Sequence, residues 1–379
     1  MSALDVAPRE APPRDSFARP SGPAAPPLGR RLAAGLFGTR LNTAITVATV
    51  ALLAWAVPPF LRWALIDATW RGTSAECMAG EGACWAFVAA KLRFILFAFY
   101  PPDLHWRPAL VVVLLLGLVI VTAMPRFWRR GLLLGWAAVI GGSWLLLAGW
   151  PHGAGGLLRV IPSNQWGGLP VTLLVWTVCF AAAMPLAILL ALARRSDMGG
   201  LRTLAVAYIE LMRGTPMVAI LYVAMLIVPM ALPEGVTLDK TFRAMIMVTL
   251  FWAAYLAEVV RGGLQTIPPG QYEAATALGL GYWRSMQLVV LPQALRVVIP
   301  GMVNLAIGFL LATSLLAVIG IFDLLNAAKA SATDPQWLGF YDEAYLLVAA
   351  VYFAFCFAGS RYSRWLERRL AGRPGRQGR

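Results

Sequence analysis

The chain has 379 residues, of which 59% are hydrophobic and only 13% are charged, and its formal net charge at pH 7 is +14. A soluble globular domain is closer to about one half apolar and one quarter charged, so this composition indicates an integral membrane protein. The positive charge does not indicate a nucleic-acid-binding protein. No aromatic-basic recognition module is present, and the basic residues lie beside hydrophobic spans, where the positive-inside rule places them.

The first 40 residues are rich in Pro, Ala and Arg and contain few large apolar residues. This composition predicts a disordered, basic cytosolic tail over residues 1–40. A secretory signal peptide is shorter and begins its apolar core sooner. The first apolar run is therefore predicted to be a retained transmembrane span.

Runs of about 20 apolar residues are long enough to cross a bilayer. Eight candidate spans follow in chain order, at roughly residues 42–63, 108–124, 132–150, 169–193, 205–229, 243–259, 297–321 and 342–358. The sixth is short and carries Glu258 near its end. Residues 86–100 contain Lys91 and Arg93 in the middle, and a central charge costs roughly 2.5–3.5 kcal/mol. We therefore expect that segment to be interfacial or re-entrant rather than spanning.

The Lys and Arg residues predict the orientation. With the N-terminus inside, 22 of the 32 Lys and Arg residues lie in cytosolic segments, which are residues 1–40, 125–131, 194–204, 260–296 and 359–379. This bias predicts that both termini are cytosolic and that the number of spans is even. The C-terminal sequence after Arg361 predicts a basic juxtamembrane helix that anchors the topology on an anionic lipid surface.

The four cysteines and two histidines indicate neither a catalytic site nor a metal site. Cys179 and Cys356 lie inside apolar spans and are expected to be inert packing residues. Cys77 and Cys84 share one predicted external loop and could form a disulfide if that loop faces an oxidising compartment. Both histidines lie in loops without Cys, Asp or Glu at ligand spacing. No cofactor is expected and the chain is not expected to be an enzyme, since no Gly-x4-Gly-Lys-Ser/Thr loop for ATP is present.

The composition changes near residue 165. Earlier spans are plain runs of Leu, Val, Ala and Trp, whereas later spans carry polar residues and turn signals. We expect an N-terminal transmembrane extension over residues 41–164, a functional core of five spans over 165–370, and a basic tail over 371–379. Polar side chains inside spans are costly and are therefore candidates for a translocation path. These candidates are Glu210, Arg213, Thr215, Asn304, Thr313 and Ser314.

Two interpretations stay open for each group of these candidates. Glu210 and Arg213 are three residues apart and share one helix face, so they form either a structural ion pair or a gate near the cytosolic mouth. The sequence Gly214-Thr215-Pro216 predicts a kink beside them. Asn304, Thr313 and Ser314 either line the path or make hydrogen bonds between helices.

A polar, glycine-rich insert follows the sixth span, and uncommitted loops are usually shorter than this one. The sequence Ile267-Pro268-Pro269-Gly270 predicts a turn. Good helix formers follow from Gln271, and Gly279 and Gly281 predict a corner before a second helix that ends at Pro292. The pattern predicts two short helices outside the membrane.

The insert is predicted to bind another protein. Alanines at positions 274, 275 and 277 keep one helix face flat, so that a partner's groove can approach, and Glu273 is available to a cationic residue. The alternative is an amphipathic connector that lies on the lipid surface.

Several linked motifs resemble the ABC importer permeases of the polar amino-acid uptake family. Glu273-Ala274-Ala275, then Gly279, then Leu291-Pro292 resemble the EAA loop of these permeases. The segments 208–216, 258–268, 291–296 and 313–315 also resemble the family, so the similarity covers about residues 165–370. The N-terminal half, with Trp106-Arg107-Pro108, is similar to one of the two permeases of the general L-amino-acid importers of Gram-negative bacteria.

The resemblance implies an all-α, polytopic protein of the bacterial inner membrane with about eight transmembrane helices and a five-helix type I ABC importer core. It implies a second permease subunit, two ATPase subunits that dock on the EAA loops over residues 260–292, and a periplasmic amino-acid-binding protein. The residues implied for ATPase coupling are Gly270, Glu273, Ala274, Ala275, Gly279, Leu291 and Pro292. Their movement would drive rigid-body rocking about a membrane site.

The chain departs from the family at one place. Family members commonly carry Lys-Asp before Thr-Ser in the seventh span, whereas this chain has Leu311 and Ala312. We therefore expect the partner permease to supply the main substrate-binding charge. The alternative function is a secondary amino-acid transporter, which would need central carboxylates or broken helices in related halves of the chain.

Overall fold

The computed structural model describes residues 27–129, 131–150 and 158–371. These residues form sixteen α-helices joined by turns and by short 3-10 and π segments, and they contain no β-strand. The all-α fold class is therefore confirmed. The chain divides into two compact units, Met1–Asp67 and Ala68–Arg379.

The described part of the first unit, residues 27–67, contains two helices, α1 (Leu28–Phe37) and α2 (Arg40–Leu61), and α2 continues into a π turn over Arg62–Ile66. Residues 1–26 of the predicted tail lie outside the described residues. The helix α1 differs from the prediction of a disordered segment up to residue 40. The reason is local, since Leu, Ala and Arg are strong helix formers and dominate this stretch.

The described part of the second unit contains fourteen helices. They are α3 (Ser74–Ala79), α4 (Trp85–Phe97), α5 (Trp106–Ala123), α6 (Gly131–Ala148), α7 (Gly168–Arg194), α8 (Gly199–Gly214), α9 (Met217–Tyr222), α10 (Val228–Ala231), α11 (Lys240–Gln265), α12 (Pro269–Ala277), α13 (Tyr282–Ser285), α14 (Leu291–Ala312), α15 (Leu324–Ser331) and α16 (Tyr341–Ala371).

Among the described residues, seven helical segments are long and apolar enough to cross a membrane. They are Arg40–Ile66, Trp106–Ala123, Gly131–Ala148, Gly168–Arg194, Lys240–Gln265, Tyr282–Ile319 and Tyr341–Arg369. The predicted fifth span is not a straight helix. It is a bent pair, Gly199–Gly214 and Met217–Ala231, with an angle of 103° between the two parts. The break lies at Thr215 and Pro216, because proline disfavours helical backbone in the residue before it.

Two segments whose role the sequence left marginal form helices of very different length. The sixth span is longer than the sequence indicated, because α11 has 26 residues and continues past Glu258. The segment over residues 86–100 forms α4, whose 13 residues are too few to cross a bilayer. The prediction that this segment does not span is confirmed. Lys91 in α4 forms an ion pair with Asp334 at 2.8 Å, so its charge is compensated.

The core of the second unit is built around α7 and α11, which lie against each other over much of their length. Small residues such as Ala253 and Ala257 are fully buried on α11 and let neighbouring helices approach closely. On its other sides α11 contacts α8 and α14, and α16 packs on α14. Trp252 stacks on Phe309 with ring centroids 4.8 Å apart, which joins α11 to α14.

The segment before α4 is held by a disulfide. Cys77 and Cys84 are bonded, with Cα atoms 5.5 Å apart, so the possibility left open by the sequence is realised. Thr73 and Glu76 form a capping box at the start of α3. The backbone N–H of Cys84 donates to the Glu343 carboxylate at 2.7 Å, which fastens this segment to α16.

Candidate functional site

The EAA segment folds as a short helix followed by a sharp corner. α12 begins at Pro269, where the missing N–H removes no helical hydrogen bond. At the other end, Gly279 has φ +73°, its N–H donates to the Thr276 carbonyl at 2.9 Å, and the N–H of Leu280 donates to the Ala275 carbonyl at 3.1 Å. These two bonds form a Schellman motif, which fixes the direction in which the chain leaves α12.

The corner carries an exposed apolar surface around one carboxylate. Leu278 is 78% exposed and Trp283 is 61% exposed, although both are large apolar side chains. Glu273 is exposed, and within the described residues its side chain makes no hydrogen bond or ion pair. We call this surface the EAA surface and define it by Glu273, Ala274, Ala277, Leu278, Gly279, Tyr282 and Trp283. Exposed apolar patches of this kind mark sites of protein interaction.

The structure corrects the prediction of a flat face made by three alanines. Ala274 and Ala277 are exposed, as expected for positions three apart on a helix. Ala275 is only 1% exposed and faces the protein. The physical reason is helical geometry, because 100° per residue turns the third alanine toward the neighbouring elements. Ala275 therefore holds α12 in place, whereas the other two remain accessible.

A second correction concerns Pro292, which does not end the second helix. Residues Tyr282–Ile319 form one continuous helical segment of 38 residues. A π turn over Met286–Val290 ends two residues before Pro292. Proline lacks an N–H and its ring clashes with the carbonyl of the residue four positions earlier, and the wider π turn accommodates both effects. The EAA surface is therefore continuous with the seventh span.

Two polar contacts fasten α12 to other spans. The Arg195 guanidinium donates from Nη1 to the Tyr272 hydroxyl at 3.3 Å and to the Leu264 carbonyl at 2.9 Å. It also lies 5.9 Å from the centre of the Tyr272 ring. The Gln293 amide donates to the Gln271 amide oxygen at 3.0 Å. The first contact joins α12 to the end of α7 and the second joins it to α14. Neither contact can be predicted from the local sequence, because each joins residues that are distant in the chain.

A cluster of charges lies where α7, α8 and α11 meet. The Glu258 carboxylate, on a side chain that is 15% exposed, accepts from Arg194 at 2.9 Å and from Arg261 at 2.9 Å, and Arg213 lies 3.8 Å away. Arg194 also pairs with Glu210 at 3.0 Å. The predicted pair of Glu210 and Arg213 is therefore replaced by pairs with other helices. Glu258 joins three helices, and the sequence indicated it only as a residue near a span end.

The remaining path candidates have different surroundings. Thr215, Thr313 and Ser314 each donate a hydroxyl hydrogen bond to a carbonyl three or four residues earlier, at 2.7, 2.6 and 2.8 Å. Thr313 is fully buried and also lies 3.3 Å from the Tyr352 hydroxyl. Asn304 is exposed on α14, and its amide has no partner among the described residues. A role for these residues in lining a path stays a prediction.

No metal site is found in the part of the chain that the structure describes, since it contains no group of three His, Cys, Asp or Glu with suitable geometry. His152 lies outside the described residues. His105 is 2.9 Å from the Tyr100 carbonyl, which is a structural contact. The Tyr100 hydroxyl donates to the carbonyls of Leu146 and Leu147 at the C-terminal end of α6, and burial raises the pKa of Tyr100 to about 12.

The family and the relatives that this chain resembles are all named as components of transport systems. The family described as "Binding-protein-dependent transport system inner membrane component" matches residues 183–372. The inner membrane amino-acid ABC transporter permease protein YhdY of Escherichia coli K12 is 42% identical over 340 residues, which cover 88% of this chain and 91% of that protein. The glutamate/glutamine/aspartate/asparagine transport system permease protein BztC of Rhodobacter capsulatus is 36% identical and covers 88% and 92%.

Among solved structures, a crystal structure of an amino acid ABC transporter with histidines is 29% identical to this chain. The match covers 53% of this chain and 92% of the chain in that crystal structure, with a TM-score of 0.47. The two long relatives match far more of the chain than the family segment alone. Their similarity therefore includes part of the region before the five-span core.

Proposed function

Since this chain belongs to the family of binding-protein-dependent transport system inner membrane components, we propose that it is the permease subunit of an ABC importer that carries amino acids across the bacterial inner membrane into the cytoplasm. Two relatives that match 88% of the chain are named as amino-acid permeases. The observation that carries the proposal is the EAA surface. It is exposed and continuous with a span, and it presents a carboxylate that has no partner among the described residues.

The partners follow from this assignment. They are a second permease, two ATPase subunits that bind the EAA surfaces, and a periplasmic amino-acid-binding protein. Both chain termini are cytosolic in this arrangement. The disulfide of Cys77 and Cys84 then lies on the periplasmic side, which is an oxidising compartment, and this supports the orientation.

The contacts of α12 provide two routes for force. A groove of the ATPase takes the EAA surface, and a cationic residue of the ATPase pairs with Glu273. Displacement of the corner passes directly into α14 through the continuous helix, and reaches α7 through Arg195 and Tyr272. The cluster around Glu258 keeps α7, α8 and α11 together, so that they move as one body.

The alternative of a secondary transporter has less support, because YhdY is named as an ABC transporter permease and the matched family is described as a binding-protein-dependent transport component. The absence of a charge at Ala312 bears on substrate binding. Ala312 is the last residue of α14, beside the exposed Leu311, and neither can hold an ammonium group. The main substrate-binding charge is accordingly assigned to the partner permease.

The assignment is tested by replacing Glu273 with Arg in the reconstituted transporter. We expect uptake to be lost and the affinity for the ATPase to fall more than about 30-fold, because losing one member of a buried interfacial charge pair costs about 2–5 kcal/mol. The fold should be retained, since Glu273 is exposed and makes no ion pair with the described residues.

The control is Glu234→Arg, which makes the same charge change at another exposed acid, outside the EAA surface. We expect normal uptake and normal ATPase binding from that variant. Wild-type uptake and ATPase binding by Glu273→Arg would refute the proposed coupling role of the EAA surface.

A further inference from the structure

A groove opens between α5 and α6, close to the turn that connects them. Its volume is about 730 Å³ and its walls are mainly apolar, including Val113, which is 65% exposed. Gly117, Gly131 and Gly135 line it, and a Cβ atom at any of them would meet nothing within 4 Å. The glycines keep the groove empty of side chains. Along α6 it runs from Gly131 to Val139, which is about 12 Å at 1.5 Å per residue.

The mouth of the groove is positively charged. Arg126 and Arg129 are both exposed and both line it. Arg126 lies over the Phe127 ring at 4.6 Å, and the Arg129 side chain has no acidic or hydrogen-bonding partner among the described residues. The sequence from Leu104 to Ser196 contains no Asp or Glu. No acid in this long segment neutralises the two guanidinium groups.

A neighbouring helix increases this positive charge. The Tyr362 hydroxyl donates to the Ala123 carbonyl at 2.8 Å, at the end of α5. This contact places the end of α16 beside the mouth of the groove, and that end carries the exposed residues Arg361, Arg364 and Arg368. Its one acid, Glu367, accepts from Ser363.

Aromatic residues mark the level of the mouth in the bilayer. Trp128 donates from its indole N–H to the Thr122 carbonyl at 2.8 Å, and Trp136 donates to the Thr122 hydroxyl at 3.0 Å. Tryptophan is enriched at the membrane–water interface, where lipid headgroups lie. The groove therefore begins at headgroup level and continues toward the hydrocarbon region.

We propose that this groove binds an anionic phospholipid, with one acyl chain against the glycines and the phosphate between Arg126 and Arg129. Basic pockets between transmembrane helices on the cytoplasmic side suit anionic headgroups. The inference rests on the proposed function for the orientation that places this turn in the cytosol. A helix of the second permease fits less well, because it would bury two guanidinium groups that have no acidic partner among the described residues.

The test is lipid titration of the purified full-length chain, followed by native mass spectrometry, with phosphatidylglycerol and phosphatidylethanolamine as the two probes. We expect the wild-type chain to retain one phosphatidylglycerol in preference to phosphatidylethanolamine. The double variant Arg126→Gln/Arg129→Gln should lose affinity for phosphatidylglycerol by about fivefold per arginine, and keep its affinity for phosphatidylethanolamine. Gly135→Leu should reduce binding of both lipids, because its side chain fills the groove.

Two matched controls separate the site from general effects. Arg202→Gln removes an exposed arginine on α8, away from the groove, and Gly141→Leu adds a side chain on α6 where a Cβ also meets nothing within 4 Å. Neither should change lipid retention. Melting temperatures of all variants, measured on the same samples, identify any loss of fold, and Arg126→Lys/Arg129→Lys should retain the preference.

Equal retention of the two lipids by the wild-type chain would overturn the proposal, as would unchanged phosphatidylglycerol binding in the double Gln variant. If Gly135→Leu abolishes assembly with the second permease and leaves lipid retention unchanged, the groove holds a protein helix instead. The titration uses neither ATPase nor amino acid. Its failure is therefore distinguishable from failure of the importer assignment.

Discussion

At the scale of single residues, two glycines of the EAA segment differ in backbone conformation. Gly279 has φ +73°, whereas Gly270 has ordinary backbone geometry within α12. A Cβ atom would meet nothing within 4 Å at either position. The difference between them is therefore backbone strain alone, which makes them a matched pair.

We predict that Gly279→Ala loosens the corner and that Gly270→Ala does not. A non-glycine residue in the left-handed region costs roughly 1–2 kcal/mol, and that cost opposes the Schellman bonds to Ala275 and Thr276. Hydrogen exchange of the backbone N–H at position 279 and at Leu280 should accelerate about 5- to 30-fold in the first variant. Equal exchange rates in the two variants would contradict this account.

Glu258 shows why a residue near a span end can be central. Its carboxylate lies within 4 Å of three guanidinium groups on α7, α8 and α11. The local sequence shows only that Glu258 is an acidic residue near the end of a span. Its importance comes from helices that meet only after folding.

At the scale of elements, the crossing of α11 and α14 depends on one small residue. A Cβ atom at Gly263 would lie 2.5 Å from a methyl group of Val298 and 2.8 Å from the Ala294 carbonyl oxygen. At the adjacent Gly262 it would meet nothing within 4 Å. The two helices are therefore in contact at a point that admits glycine and no larger residue.

We predict that Gly263→Ala destabilises the protein by about 1–3 kcal/mol, the usual cost of overpacking a well-packed contact. Gly262→Ala should be neutral or slightly stabilising, because alanine favours the helix. Thermal unfolding of the two variants in detergent checks the difference. The proposed close approach would be ruled out if both variants melted at the wild-type temperature.

Two prolines in this chain, Pro216 and Pro292, affect their helices in different ways. Pro216 was expected to interrupt a helix, and the two parts of that span meet at 103°. Pro292 was expected to end a helix, but a π turn before it lets the helix continue. The local sequence contains the same steric problem in both cases. The packing around each proline decides whether the helix bends there or forms a π turn, which has one more residue per hydrogen-bonded turn than an α-helix.

At the scale of the whole molecule, the region before the five-span core contains two different parts. Residues up to Asp67 form a compact unit of their own. By contrast, α4 packs against α7 and α15, and α5 packs against α7. Arg107, in the Trp-Arg-Pro motif, is fully buried and donates to the carbonyls of Leu146 and Arg159, which joins α5 to the end of α6.

We predict that removing residues 1–67 leaves the second unit folded, because that unit contains its own core. Removing residues 1–160 should prevent stable folding, since it uncovers apolar faces of α7 and α15 and leaves Asp334 without Lys91. The hydrogen bond that the Lys91 ammonium donates to the Asp334 carboxylate lowers the pKa of Asp334.

Size-exclusion chromatography and thermal unfolding in detergent distinguish the two truncations. A monodisperse, cooperatively unfolding chain after removal of residues 1–160 would show that α4 and α5 are dispensable for the core. Loss of the fold on removal of residues 1–67 alone would contradict the division at Asp67.

The sequence by itself determined the all-α membrane fold, the places of the eight candidate spans, the non-spanning α4, the glycine corner and the break at Pro216. These features depend on the length of apolar runs and on proline and glycine, which act over a few neighbouring residues. Only the tertiary structure decided that Ala275 is buried, that Glu210 pairs with Arg194, that Tyr272 contacts Arg195 and that a groove stays open between α5 and α6. Each of these depends on which helix faces meet, and residues distant in the sequence determine that meeting.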